Sequence, residues 1–135
     1  MTSSPALNEW LKAHTGPWAL VECFDWWERG TMIAIPPLRD AILAAKIPLT
    51  YLPLNSLAVE NLIARNSVDP DHVMRLSRTN QMVPVLVAID ERNRETVIDG
   101  NHRYVLMGLR GMKRVPAYVV YPALWTQFEF KRGSR

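Results

Sequence analysis

A single cysteine, Cys23, stands among the 135 residues, so the chain can form neither an internal disulfide nor a cysteine-based zinc site. No apolar run reaches the roughly 18 residues that a membrane span requires. The opening residues Met1-Thr2-Ser3-Ser4-Pro5 lack the basic and apolar regions of a secretory signal, which predicts a cytoplasmic protein without membrane association. There is no internal repeat and no low-complexity segment. Neither sign of charge dominates: 16 basic residues against 13 acidic ones leave a net charge of +3. A pI near 9.3 points only weakly to phosphate-bearing partners. The basic residues are scattered apart from Lys131-Arg132-Gly133-Ser134-Arg135, which reads as a solvated tail on an ordinary basic surface rather than a DNA footprint.

What is present suits one globular fold with a modest core: 48% of residues are hydrophobic and 21% are charged. The chain changes character near residue 47. Residues 1–46 hold four of the five tryptophans, Trp10, Trp18, Trp26 and Trp27, and read as an N-terminal extension packed on a core formed by residues 47–135. Tryptophan chiefly supplies buried area, so packing is expected of these four rather than a stacking platform for bases.

In the extension, Leu7 to Ala13 reads as a short helix and Trp18 to Phe24 as a strand. Pro36-Pro37 introduces a second helix, Leu38 to Lys46. From Ile47 to Leu54 the chain is at best an edge strand, because it carries Pro48 and Pro53. Asn55 to Asn66 reads either as a helix lined by Leu57, Leu62 and Ile63 or as a long loop. Asp69-Pro70 is a helix start, with an end expected near Asn80. Met82 to Ile89 is a strand buried on both faces, and Asp90 to Arg94 is a turn leading into an antiparallel strand, Glu95 to Ile98. Arg103 to Arg110 is helical with Val105, Leu106 and Leu109 inward, Gly111 stops it, and Arg114 to Tyr121 is a last strand. Together these elements predict an α+β fold, a small mixed β-sheet with flanking helices.

The chemistry concentrates in Asp99-Gly100-Asn101-His102-Arg103. Asp-Gly can close a two-residue hairpin, but no alternating return strand follows, so a strand breaking into a helix start is the better reading. The first N–H groups of a helix have no acceptor inside it, and they favour an anion such as phosphate. Gly100 permits close backbone approach. Arg103 can grip phosphate oxygens in bidentate fashion, and His102 can donate to a phosphate or move a proton. Asp99 can cap the helix or coordinate magnesium, and capping is the expected role.

Residues 51–120 resemble the N-terminal domain of the ParB family and the wider ParB/sulfiredoxin superfamily. The likeness rests on Leu52-Pro53-Leu54-Asn55-Ser56-Leu57 at the opening, the polar loop Ala58 to Arg65, and the acidic helix Asp69 to Thr79. It continues through Asn80-Gln81-Met82-Val83-Pro84, the glycine-x-x-arginine stretch Gly100 to Arg103, and Leu109-Arg110-Gly111 leading to Pro116. The resemblance implies a site for a nucleoside triphosphate, ATP or CTP, with Mg2+. Gly100, Asn101, His102 and Arg103 would cradle the phosphates, and Asn80 and Pro84 would lie near the base or ribose. Arg65 would be a second cation and Glu60 an acid, with His102 or Glu60 orienting or activating water. Hydrolysis of a nucleoside triphosphate or nuclease action on DNA is then expected; a non-catalytic regulator that binds DNA or protein is the alternative, and a purely structural helix start the blandest one. Sulfiredoxins require a cysteine directly after the signature glycine, and Asn101 stands there, so that chemistry is not expected. Full-length ParB carries helix-turn-helix and dimerisation domains after this one, and with fifteen residues following Val120 operator binding and clamp formation are not expected.

Overall fold

The computed structural model describes residues 4–13, 22–64, 69, 71, 75 and 83–132. In chain order the helices and strands are α1 (Pro5–Ala13), β1 (Cys23–Trp26), β2 (Thr31–Ala34), α2 (Ile35–Ala44), β3 (Thr50–Pro53), α3 (Ser56–Ala64), β4 (Val85–Ile89), β5 (Glu95–Asp99), α4 (Asn101–Leu109), β6 (Arg114–Val120), α5 (Pro122–Trp125) and β7 (Glu129–Lys131). Short 3₁₀ turns, Trp27–Arg29 and Thr126–Phe128, precede β2 and β7. The fold is mixed α+β, and it holds two small sheets where the sequence reading expects one. By contacts the chain divides into a unit of Met1–Ile47, Ala88–Arg94 and Val120–Arg135 and a unit of Pro48–Val87 and Glu95–Val119. No described helix is long and apolar enough to cross a membrane.

The first unit carries the sheet β1-β2-β7, antiparallel throughout, with Cys23 opposite Ala34 and Thr31 opposite Lys131. Strands β2 and β7 escape the sequence reading because four and three residues are too few to display a period. The tail reading needs correction as a result. Lys131 belongs to β7, and Arg132 bonds the Asp25 carboxylate and lies 4.2 Å above the Trp27 ring. Helix α2 starts at Ile35, earlier than expected, because its prolines occupy the first helical positions, where a missing N–H costs nothing. Trp26 and Trp125 pack with ring centroids 5.1 Å apart, and the buried Trp125 donates its Nε1–H to the Ile89 carbonyl at 3.0 Å. Packing therefore accounts for Trp26, whereas Trp27 is exposed and Trp18 lies outside the described residues.

Arg29 lies over both the Trp26 and Trp125 rings and bonds Glu129 (2.8 Å) and Glu91 (2.6 Å). The hydrogen bond to Glu129, more than any other influence, holds its guanidinium above the usual arginine range. Asp90 organises the turn before β5. One oxygen, Oδ1, accepts the Arg92 and Arg94 N–H groups at 2.9 Å each, and Oδ2 accepts the Arg94 guanidinium.

The second unit carries strands of the sheet ordered β3-β6-β4-β5. β3 is an edge strand, as its prolines require, and runs antiparallel to β6 with Tyr51 opposite Pro116. β4 is buried along its whole length, as a continuous apolar run should be. β5 lies beside it, joined through the turn that Asp90 N–H closes on the Arg94 carbonyl. The described part of the stretch read as helix or loop from Asn55 to Asn66 holds helix α3 (Ser56–Ala64), started by Asn55 Oδ1, which accepts the Leu57 and Ala58 N–H groups. Its inward residue is Val59; Leu57 and Ile63 are exposed, against expectation.

Gly108 explains that register. A Cβ there would sit 2.8 Å from Val59 Cγ2, so the glycine lets α3 close onto α4 at Val59. α4 buries Tyr104, Val105, Leu106 and Met107, while Leu109, expected inward, is 66% exposed. Of the helix expected from Asp69 to Asn80, only residues 69, 71 and 75 are described; Asp69 Oδ1 accepts the Asp71 N–H at 3.0 Å, as a helix-starting aspartate does.

Candidate phosphate site at the start of α4

β5 ends at Asp99 and α4 begins at Asn101, so one residue, Gly100, makes the whole change of direction. It does so with φ +92° and ψ 28°, in the left-handed region that glycine enters without strain. Space demands glycine as well: a Cβ would lie 2.8 Å from Val85 Cγ1 and 2.9 Å from Arg103 Nη2. The backbone ladder of α4 starts with Tyr104 N–H donating to the Gly100 carbonyl at 2.8 Å. The N–H groups of Asn101, His102 and Arg103 come before it, at the positive end of the helix.

Arg103 folds back over this turn. Its Nη2 donates to the Pro84 carbonyl at 3.3 Å and lies 3.6 Å from Asp99 Oδ2. Its Nε is buried and has no hydrogen-bond acceptor, and Asn101 Oδ1 is likewise buried without a partner. Unpaired buried polar atoms are uncommon and costly. Here two occur within three residues of one turn. Rotating the Asn101 amide by half a turn would present its Nδ2 in place of Oδ1.

The N-cap position falls on Gly100, which has no side chain to cap with. The Asp99 carboxylate, 11% exposed, is set against Arg103. That makes it a poor magnesium ligand, since a guanidinium competes for the same oxygens. No cluster of three or more metal-ligating side chains occurs among the described residues.

His102 turns to the segment before β4: its Nε2 accepts the Asp69 backbone N–H at 2.8 Å. Glu60 is exposed on α3, and its neighbour Val59 rests on Gly108, about 12 Å of helix beyond Gly100. The turn therefore gathers Asp99, Gly100, Asn101, Arg103 and the Pro84 carbonyl, with His102 linked to Asp69. Glu60 is not drawn to it, and Arg65 and Asn80 lie outside the described residues. The sequence reading did not single out Val85, which limits the space at Gly100, or the Pro84 carbonyl as an acceptor for Arg103.

Compared with known proteins, the chain matches no family model, no curated sequence and no solved structure at a significant level.

Proposed function

We propose that the chain is a phosphate-binding domain of ParB-like α+β type that takes a nucleoside triphosphate at the start of α4. The observation that carries this reading is the buried, unpaired Nε–H of Arg103, beside the leading N–H groups of a helix entered through a left-handed glycine. A phosphate oxygen would supply the acceptor that Arg103 Nε lacks, and the helix N-terminus would stabilise the charge. The likeness of residues 51–120 to ParB and sulfiredoxin sequences supports the same ligand class. Magnesium would enter on the phosphates, held by their oxygens and by water, which is how this ion commonly meets a protein.

Binding, rather than hydrolysis or nuclease action, is the step the geometry favours. A water-activating group must stand within hydrogen-bond reach of the reacting centre. His102 Nε2 already accepts the Asp69 N–H, and Glu60 is exposed on α3 beside Val59, which rests on Gly108 at the far part of α4. The chain is then a nucleotide-dependent regulator, with DNA or a protein as its further partner.

Calorimetry with ATP and CTP, with and without Mg2+, tests the reading, run beside phosphate-release and plasmid-nicking assays. Saturable binding without turnover is expected. Turnover that His102→Ala abolishes would restore the hydrolase reading, and absence of binding by either nucleotide would overturn the proposal.

A further inference from the structure

The second unit holds a cavity of about 90 Å3 that none of the groups discussed so far explains. It is lined by Leu52 and Pro53 of β3, Asn55 and Ala58 at the start of α3, Val87 of β4, Glu95 and Val97 of β5, and Tyr104 of α4. Five of these eight residues are apolar, while polar and apolar atoms share the cavity surface about equally. Strands β3, β4 and β5 and helices α3 and α4 all contribute to this slot. Room for one water takes roughly 10–15 Å3 on this measure, so the slot can hold several heavy atoms, the scale of one substituted ring.

Three polar groups line the slot with hydrogen-bonding capacity to spare. Tyr104 is 5% exposed, and its oxygen accepts the Asn55 backbone N–H at 2.8 Å, which leaves its own O–H free to donate. The Asn55 side chain spends Oδ1 on the Leu57 and Ala58 N–H groups, which leaves its NH2. Glu95 pairs with no cation among the described residues. Its carboxylate is the one charge among the cavity-lining residues, so an anion is disfavoured there. The complement of this set is a small molecule with an N–H donor for Glu95 and an acceptor for Tyr104 or Asn55.

We infer that this slot binds a planar, amino-substituted nitrogen heterocycle. The ring takes the apolar walls, its amino group donates to the Glu95 carboxylate, and a ring nitrogen or carbonyl accepts from Tyr104 Oη or the Asn55 amide. A few well-placed polar groups in an apolar concavity are the usual anatomy of a small-molecule site. The inference stands on the cavity alone and does not need a phosphate at α4. The two places are nonetheless near one another. Val87 lines the slot and Val85 limits the space at Gly100, and residues two apart on a strand share a face about 7 Å apart. The heterocycle can therefore be a free small molecule or the base of a nucleotide whose phosphates reach the turn.

The test is a chemical-shift titration of the full chain with 2-aminopyrimidine as probe. Saturable shifts are expected at Val87, Val97, Ala58 and Tyr104. Glu95→Gln, a change on an exposed residue, should weaken binding about tenfold, because a hydrogen bond to a charged group is lost. Ala58→Leu should abolish binding by filling the slot, with the dispersion of the spectrum preserved. Displacement of the probe by ATP or CTP in wild type but not by inorganic triphosphate assigns the slot to a nucleotide base; failure of the nucleotides to displace it assigns the slot to a separate small molecule. The absence of saturable shifts at these residues, or equal affinity in wild type and Glu95→Gln, would overturn the inference. Arg103→Ala leaves the slot intact, so probe binding retained in that variant separates this inference from the phosphate reading.

Discussion

The Arg103 guanidinium covers Gly100 so closely that its Nη2 lies 2.9 Å from where a Cβ on that glycine would be. Backbone conformation and arginine placement are thus one feature. A residue that cannot adopt φ +92° also cannot leave room for the arginine. The first prediction follows directly. Gly100→Ala should lower stability by about 2 kcal/mol, from left-handed strain together with the clash against Val85, and should displace Arg103 and abolish phosphate binding. Gly111→Ala is the control. Gly111 has φ +73° but nothing within 4 Å of a Cβ, so strain alone should cost about 1 kcal/mol and binding should survive. Denaturant titration and nucleotide calorimetry on both variants check the contrast.

Arg103→Ala should fold and lose nucleotide binding, whereas Arg103→Lys should recover only part of it. A lysine restores charge but not the planar fork that presents Nε and an Nη together. Calorimetry should give an affinity at least about tenfold below wild type for Arg103→Lys. Equal affinities would mean that Arg103 acts only as a point charge.

His102 should act as a clasp on the Asp69 backbone. Amide exchange at Asp69 is expected to accelerate in His102→Ala, which has no acceptor for that N–H, and to remain slow in His102→Gln, whose side-chain oxygen can replace Nε2. Unchanged protection in His102→Ala would contradict the clasp.

Asp90 should make part of the stability depend on pH. Its carboxyl is held below the usual carboxylate range, first by the Arg94 backbone N–H, then by the Arg94 side chain and the Arg92 N–H. A group whose folded value is depressed stabilises the fold above its unfolded value of about 3.9 and loses that contribution as pH falls through the folded value. The melting temperature of Asp90→Asn should therefore lie below that of wild type at neutral pH, and the difference should shrink as pH drops below about 4. A difference independent of pH would mean that charge at this position is irrelevant.

The sequence is most legible where local chemistry determines structure. The prolines of residues 47–54 mark an edge strand, the unbroken apolar run at Val85–Ile89 marks a buried one, and Gly100 and Gly111 bracket α4. It is least legible where a distant partner decides. The first sheet depends on β7 joining β2 across nearly 100 residues, and neither strand is long enough to show a pattern. Helix faces fail for a related reason. Leu57 and Leu109 lose the inward positions to Val59 and Met107 because Gly108 determines how closely α3 and α4 approach. At the candidate site the residue types were legible, but their partners were not. That Asp99 stands beside the Arg103 guanidinium depends on where the arginine folds, which spacing alone does not reveal.

Phosphate binding at α4 is tested most directly by following the backbone amide resonances of Asn101, His102 and Arg103 while Mg-ATP or Mg-CTP is added to the full chain. Phosphate oxygens at the start of α4 should move these three signals downfield together and saturably, with the Arg103 Nε–H moving in step, and none should move in Arg103→Ala. Nucleotide binding that leaves these amides unmoved, or the same movement in Arg103→Ala, would contradict the account.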